Sequence, residues 1–227
     1  MRARLLAVTA AAACLAIPAA AHARPTAGLA AAGGGADRGA EAAIFYYAWW
    51  GNPRTDGDYI HWRQGGNTPP RSVASSFYPL RGAYSSGDAA VVAAQMREIA
   101  GTGIDTVIVS WWGRGSLEDA RLPLVARAAA AHGLRVAAHL EPYRGRSVAS
   151  TVDDIEYLRT LGLRDFYVWA SVEHPDAEWR AALAGLQSEI RVFANTNFPA
   201  KAAAGGFSGV YTYDVLLYGG GFFPRMC

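Results

Sequence analysis

Short, continuous apolar runs recur along the chain at Ala43–Trp49, Thr106–Trp111, Arg135–Leu140, Phe166–Ala170, Arg191–Asn195 and Gly209–Tyr213. They are rich in β-branched and aromatic residues and do not alternate with polar ones, the pattern of strands covered on both faces. Helical periods lie between them. The spacing predicts helices over Asp88–Ala100 with Ser86 as cap, Leu122–His132 ending at Gly133, Ser150–Leu161 ending at Gly162, and Asp176–Ser188 after Pro175. The second to fifth runs start at 106, 135, 166 and 191, separations of 29, 31 and 25 residues that fit βα units with short loops. A parallel α/β architecture follows. No glycine-rich phosphate loop follows the first run, which speaks against a dinucleotide-binding sheet. The residues after the strands point instead to a (β/α)8 TIM-barrel type of fold.

Barrel sites are built at the C-terminal ends of the strands, so those residues carry the functional reading. The first run ends in Trp49-Trp50-Gly51-Asn52 and leads into a long aperiodic segment reaching Gly87 that contains Tyr59, His61 and Trp62. The later runs deliver Trp111-Trp112, Glu141-Pro142-Tyr143, Ser171 with Glu173, Asn195 with Asn197, and Tyr213-Asp214. Sugars require such a mixture: ring C–H faces stack on indole or phenol, and hydroxyls need carboxylate or amide partners. Glu141, directly at a strand end and followed by a stiffening proline, is the candidate catalytic carboxylate. The alternative is that it pairs with Arg144 or Arg146 in a loop ion pair. His139, two residues earlier and therefore on the same side of the strand, either orients that carboxylate, binds a hydroxyl, or is a satisfied interior histidine. Each tryptophan has packing of helix on strand as its alternative role. The five histidines have no metal-ligand spacing, and no GxSxG elbow is present, so neither a zinc site nor a serine hydrolase is indicated.

The chain termini add a compartment. Residues 1–23 have a basic start, an apolar stretch and the small-x-small triplet Ala21-His22-Ala23, the pattern of a secretory signal peptide cleaved before Arg24. The apolar stretch is short of the ~20 residues of a membrane span, so no stable anchor is expected after cleavage. Residues 24–40 read as a Gly/Ala-rich spacer, and the barrel domain is assigned to 41–227. Of 21 basic residues, Arg2 and Arg4 fall in the leader, leaving 19 against 19 acidic ones. A neutral chain with one lysine, Lys201, argues against a nucleic-acid partner. Cys14 lies in the leader and Cys227 stands alone, so no internal disulfide is expected in the mature chain. Heavy use of Ala, Arg and Gly with little Lys suggests a GC-rich bacterial genome, and export makes the expected location extracellular.

Four segments in order, FYYAWWGNP (Phe45–Pro53), YPLRGAYSSGD (Tyr78–Asp88), VSWWG (Val109–Gly113) and HLEPYRGR (His139–Arg146), resemble glycoside hydrolase family 99. The resemblance runs from about Ala43 to Tyr213. It implies a (β/α)8 barrel that acts on α-mannosides as an endo-mannosidase or mannanase, without a cofactor. It further implies that Glu141 deprotonates the substrate 2-hydroxyl, whose oxygen attacks the anomeric carbon through a 1,2-anhydro sugar, with retention of configuration. The residues then expected to contact the oligo- or polysaccharide are Tyr46, Tyr47, Trp49, Trp50, Trp111, Trp112, His139, Tyr143, Arg146, Asn195 and Tyr213.

Two departures from the family pattern shape the expectation. Arg144 stands three residues after Glu141, where the resemblance implies a second glutamate as acid/base, and arginine is a poor proton donor. Glu173 and Asp214 are the candidate replacements; otherwise the chain binds sugar without cleaving it. The sequence also contains only about six βα units, so a C-terminally truncated, incomplete barrel is expected, and an inactive one is a further alternative.

Overall fold

A computed structural model describes residues 41–213 of the chain. The leader, the spacer and Asp214 lie outside the described residues. Six parallel strands form one sheet in sequence order: β1 (Ala43–Tyr46), β2 (Thr106–Trp111), β3 (Arg135–Leu140), β4 (Asp165–Val168), β5 (Arg191–Asn195) and β6 (Gly209–Tyr211). Helices α1 (Pro53–Asp56), α2 (Ala89–Ala100), α3 (Leu117–Ala130), α4 (Val148–Thr160), α5 (Asp176–Leu183) and α6 (Pro199–Ala204) lie between them. The described residues are the arc of an incomplete (β/α)8-type barrel. Its two ends curl toward each other, bringing the rings of Phe45 on β1 and Tyr211 on β6 to 6.3 Å.

Side chains at the starts of the helices explain where each begins. Asp88, rather than Ser86, caps α2, its Oδ1 accepting from the amides of Ala90 and Val91. Ser116 accepts from Asp119 N–H and starts α3 five residues before the apolar period becomes visible, with Glu118 and Asp119 in the favourable first turn. Ser147 and Ser150 exchange capping hydrogen bonds at the start of α4. Gly133 and Gly162 turn the chain back toward β3 and β4 with φ of 73° and 95°, a conformation costly for any residue with a Cβ. Several elements end earlier than the sequence suggests, among them β4 at Val168, β6 at Tyr211 and α3 at Ala130. β1 stops at Tyr46 because the chain then turns over the rim, and α5 stops at Leu183, where the following residues form turns.

Alternate residues of each strand face opposite layers. Outward go Val107, Val109 and Trp111 of β2, Ala138 and Leu140 of β3, and Phe166 and Val168 of β4, which pack with Val92, Met96, Leu122, Val125, Ile155 and Leu158 in one buried core. Burying such side chains contributes about 1.5–3 kcal/mol each. Inward go Phe45, Ser110, His139, Tyr167, Phe193 and Tyr211, so the interior is aromatic, with Tyr167 and Phe193 stacked at 4.7 Å and Tyr167 against Tyr211 at 5.2 Å. At the N-terminal end of the strands Glu41 reaches Arg135 at 2.9 Å and Arg191 at 3.3 Å. Arg191 in turn grips Asp165 with both Nε and Nη2 at 2.6 Å. This ionic network ties the starts of four strands together and leaves the opposite end as the open rim.

Candidate functional site

Glu141 follows β3 immediately and is 6 % exposed. Its Oε1 accepts from Ser110 Oγ at 2.7 Å, one strand over, and from His139 Nδ1 at 2.8 Å. Neither donor reaches Oε2, which has no hydrogen-bond donor among the described residues. His139 is fully buried, and its Nε2 lies 2.7 Å from the Tyr211 hydroxyl. Burial, reinforced by the charge on Glu141, raises the Tyr211 pKa far above a free phenol, so the hydroxyl keeps its proton. A carboxylate only accepts, so the proton between His139 and Glu141 sits on Nδ1, and in the neutral ring Nε2 is then the acceptor of the Tyr211 hydroxyl. The ring is held from its faces too: Tyr213 stacks on it at 5.2 Å, and Phe45 and Trp169 meet it edge-on.

Tyr47 carries this assembly to the first rim loop. Its hydroxyl is hydrogen-bonded to that of Tyr213. Burial, then the Tyr213 hydroxyl and the negative charge on Glu141, push its pKa up, so it remains a neutral phenol beside the carboxylate. Trp49 lies between Tyr47 and His61, stacked on each at 4.8 Å, and Trp50 stacks on Trp62 at 3.9 Å. Trp49 thus has two stacking partners already, whereas Trp50 has one and meets Trp49 and His61 edge-on. Trp112, 38 % exposed, presents a free surface just past β2, and Asn195 stands on the inward register of β5 with Phe193.

Several residues expected at the sugar face lie elsewhere. Tyr46 points outward, buried, with its hydroxyl donating to Gln95 Oε1 at 2.7 Å. Trp111 is fully buried in the strand–helix layer, and its Nε1 donates to Asp119 Oδ1 at 2.9 Å. Both follow from strand periodicity, because Phe45 and Ser110 take the neighbouring inward positions. The Tyr143 hydroxyl turns away to Asp154 on α4 and to Ser150 at 3.4 Å. Arg146 spends its guanidinium on backbone carbonyls, Nη1 on Leu140 O at 2.7 Å and Nη2 on Trp169 O at 2.5 Å, clamping the ends of β3 and β4. Burial lowers its pKa, opposed by charges that include Glu173 and Glu141. Neither arginine forms the loop ion pair with Glu141: Arg146 is so engaged and Arg144 is exposed. Glu173 is exposed in the short turn Ser171–Glu173 after β4.

Tyr211, Trp169, Tyr167 and Phe45 complete the interior without having been singled out from the sequence. The signal for them was available in the period-two alternation: Tyr167 pairs with His139 and Trp169 follows two residues on, Tyr211 pairs with Asn195, and Phe45 stands two residues before Tyr47. Among the described residues no group of three His, Cys, Asp or Glu side chains could hold a metal ion, and no helix is long and apolar enough to cross a membrane.

A parallel βα barrel arc with an aromatic interior and one buried carboxylate at its C-terminal rim is an architecture used by glycoside hydrolases. The chain belongs to glycosyl hydrolase family 99, whose model matches residues 40–191. It is 31 % identical to a glycoprotein endo-alpha-1,2-mannosidase-like protein of Danio rerio, over 75 % of this chain and 50 % of that protein. It is 29 % identical to the glycoprotein endo-alpha-1,2-mannosidase of Xenopus laevis, over 75 % of this chain and 49 % of that one. The solved structure of the GH99 endo-alpha-mannosidase from Bacteroides thetaiotaomicron superposes with a TM-score of 0.68 at 25 % identity, covering 77 % of this chain and 61 % of that one. The chain therefore spans about half the length of the curated relatives it matches.

Proposed function

We propose that the chain supplies the first six βα units of a glycosidase site that cleaves α-mannosidic bonds, with Glu141 as the carboxylate that engages the sugar. The observation that carries this reading is the asymmetry of Glu141, in which Oε1 holds both protein donors and Oε2 has none among the described residues. In the proposed reaction Oε2 takes the proton of the 2-hydroxyl while that oxygen bonds to the anomeric carbon. The glycosidic C–O bond breaks, and the leaving oxygen collects a proton from an acid. Water then opens the 1,2-anhydro sugar, giving its proton to the conjugate base of that acid while Oε2 returns its proton to the 2-oxygen, so that two inversions give net retention. Ser110 and His139 keep the carboxylate oriented throughout. The acid is Glu173, Asp214 or a group outside residues 41–213; Arg144 cannot fill that role.

Hydrolysis of an α-1,2-linked manno-oligosaccharide, followed by product chromatography and abolished in Glu141→Gln, is the expected result. Binding measured by calorimetry without turnover at any pH would favour the second reading, a carbohydrate-binding relative, for which the exposed Arg144 three residues after Glu141 speaks. We further propose that residues 1–23 direct export and are removed before Arg24, which the N-terminal mass of protein recovered outside the cell tests.

A further inference from the structure

We infer that Arg121, on α3 and remote from Glu141 in sequence, is a positioning residue that sets the geometry of the Trp49–Tyr47 wall of the site. This inference rests on the glycosidase reading for its ligand, though not for its geometry. After Tyr46 the chain leaves the sheet, so the carbonyls of the next residues lose the strand ladder that would have satisfied them. Arg121 replaces it. Nη1 donates to Ala48 O at 2.7 Å and to Trp50 O at 3.0 Å, the two carbonyls on either side of Trp49. Nη2 donates to Asp56 Oδ1 at 2.5 Å, and Asp56 Oδ2 accepts from Asn52 N–H at 2.8 Å, which closes the loop on itself. The side chains are only 6 % and 11 % exposed, so this fork is set in a dry environment where its geometry is tightly held. Burial favours the neutral form of Asp56, yet hydrogen bonds from Ser85 and Asn52 N–H, with the Arg121 charge, bring its pKa below the ordinary value and keep the pair ionised.

The Trp49 ring depends on this clamp because it has no hydrogen bond of its own: Nε1 is buried without an acceptor among the described residues. Stacking and the backbone on either side are all that fix it. Trp49 in turn stacks on Tyr47, whose hydroxyl meets Tyr213 above the His139 ring. The surroundings are built to admit the arginine. A Cβ at Gly87 would stand 3.3 Å from Arg121 Nε, and one at Gly51 would collide with Ile60 at 2.8 Å. Ser86 N–H adds a second donor to Trp50 O at 2.8 Å.

The test is Arg121→Lys in the full chain, alone and combined with Trp49→Phe, read by near-UV circular dichroism and by calorimetric titration with an α-1,2-linked manno-oligosaccharide. Lysine keeps the charge beside Asp56 but, as a point donor, does not bridge both carbonyls. The expected result is a changed indole band that Trp49→Phe abolishes, a cooperative melt, and binding weakened by about tenfold or more. An unchanged Trp49 band, or binding within about twofold of the parent, overturns the inference. Where the parent binds no manno-oligosaccharide, the glycosidase reading has failed, and the band alone decides the clamp. If Arg121→Lys does not melt cooperatively, Asp56→Asn, which removes the ion pair and leaves the guanidinium, is judged by the same readouts.

Discussion

The imidazole of His139 donates to Glu141 Oε1 from two residues earlier on the same chain, at 2.8 Å, and never itself reaches the surface. A strand repeats every two residues, so this pairing is what β3 imposes once Glu141 faces the rim. The histidine is thereby a positioning residue for the carboxylate. Removing it in His139→Ala leaves a cavity and strands the Tyr211 hydroxyl, at a cost of about 2–4 kcal/mol. Denaturant titration checks the stability, and a drop in sugar affinity accompanies it.

Glu141→Gln separates chemistry from architecture. The carboxamide oxygen accepts from Ser110 and His139 as Oε1 did, and the NH2 group occupies the place of Oε2. Folding stability should stay within about 1 kcal/mol of the parent, because no buried partner is orphaned. Hydrolysis should vanish. A variant that loses stability by several kcal/mol would mean that Oε2 also has a partner in the folded chain.

Acid should loosen the end of the barrel opposite the site. The hydrogen bond from Arg135 depresses the Glu41 pKa, burial opposes it, and the charges of Arg135 and Arg191 add to the lowering. A carboxylate whose pKa is lower in the folded than in the unfolded chain contributes stability that is present above its unfolded value, 4.5, and lost as the pH falls through the folded value. Denaturation midpoints between about pH 6 and pH 3 should therefore fall more steeply for the parent than for Glu41→Gln. Parallel curves would remove Glu41 from the acid response.

Most of the fold was legible because a buried parallel strand writes itself as a continuous apolar run. The β2, β3 and β5 boundaries coincide with those runs. The site was legible only where a rim residue is chemically conspicuous, as Glu141 is. Which aromatics face inward was not legible from composition at strand ends: Trp111 and Tyr46 look like sugar platforms, and the period-two alternation turns both outward. Arg146 and Tyr143 mislead for another reason. Both sit in the most recognisable motif, yet their polar groups satisfy backbone carbonyls and an α4 carboxylate, partners whose proximity is set only once β3, β4 and α4 are folded. Arg121 gave no signal at all, since its three acceptors lie more than sixty residues away.

Trp111 and Trp112 offer the sharpest check on that alternation, being adjacent in sequence and opposed in environment. Trp111→Phe removes the bond to Asp119 Oδ1 and part of the core between β2, α3 and Tyr157. It should cost about 1–3 kcal/mol while leaving sugar affinity intact. Trp112→Ala touches an exposed ring and should change stability by no more than about 0.5 kcal/mol. If its free surface receives a sugar, affinity should nevertheless fall by about fivefold to tenfold, as loss of a stacking contact worth about 1 kcal/mol requires. Paired melts and titrations of the two variants decide this. A reversed pattern, with Trp111→Phe weakening binding and Trp112→Ala unfolding the chain, would invert the facing of β2 and with it the assignment of Ser110 as a donor to Glu141.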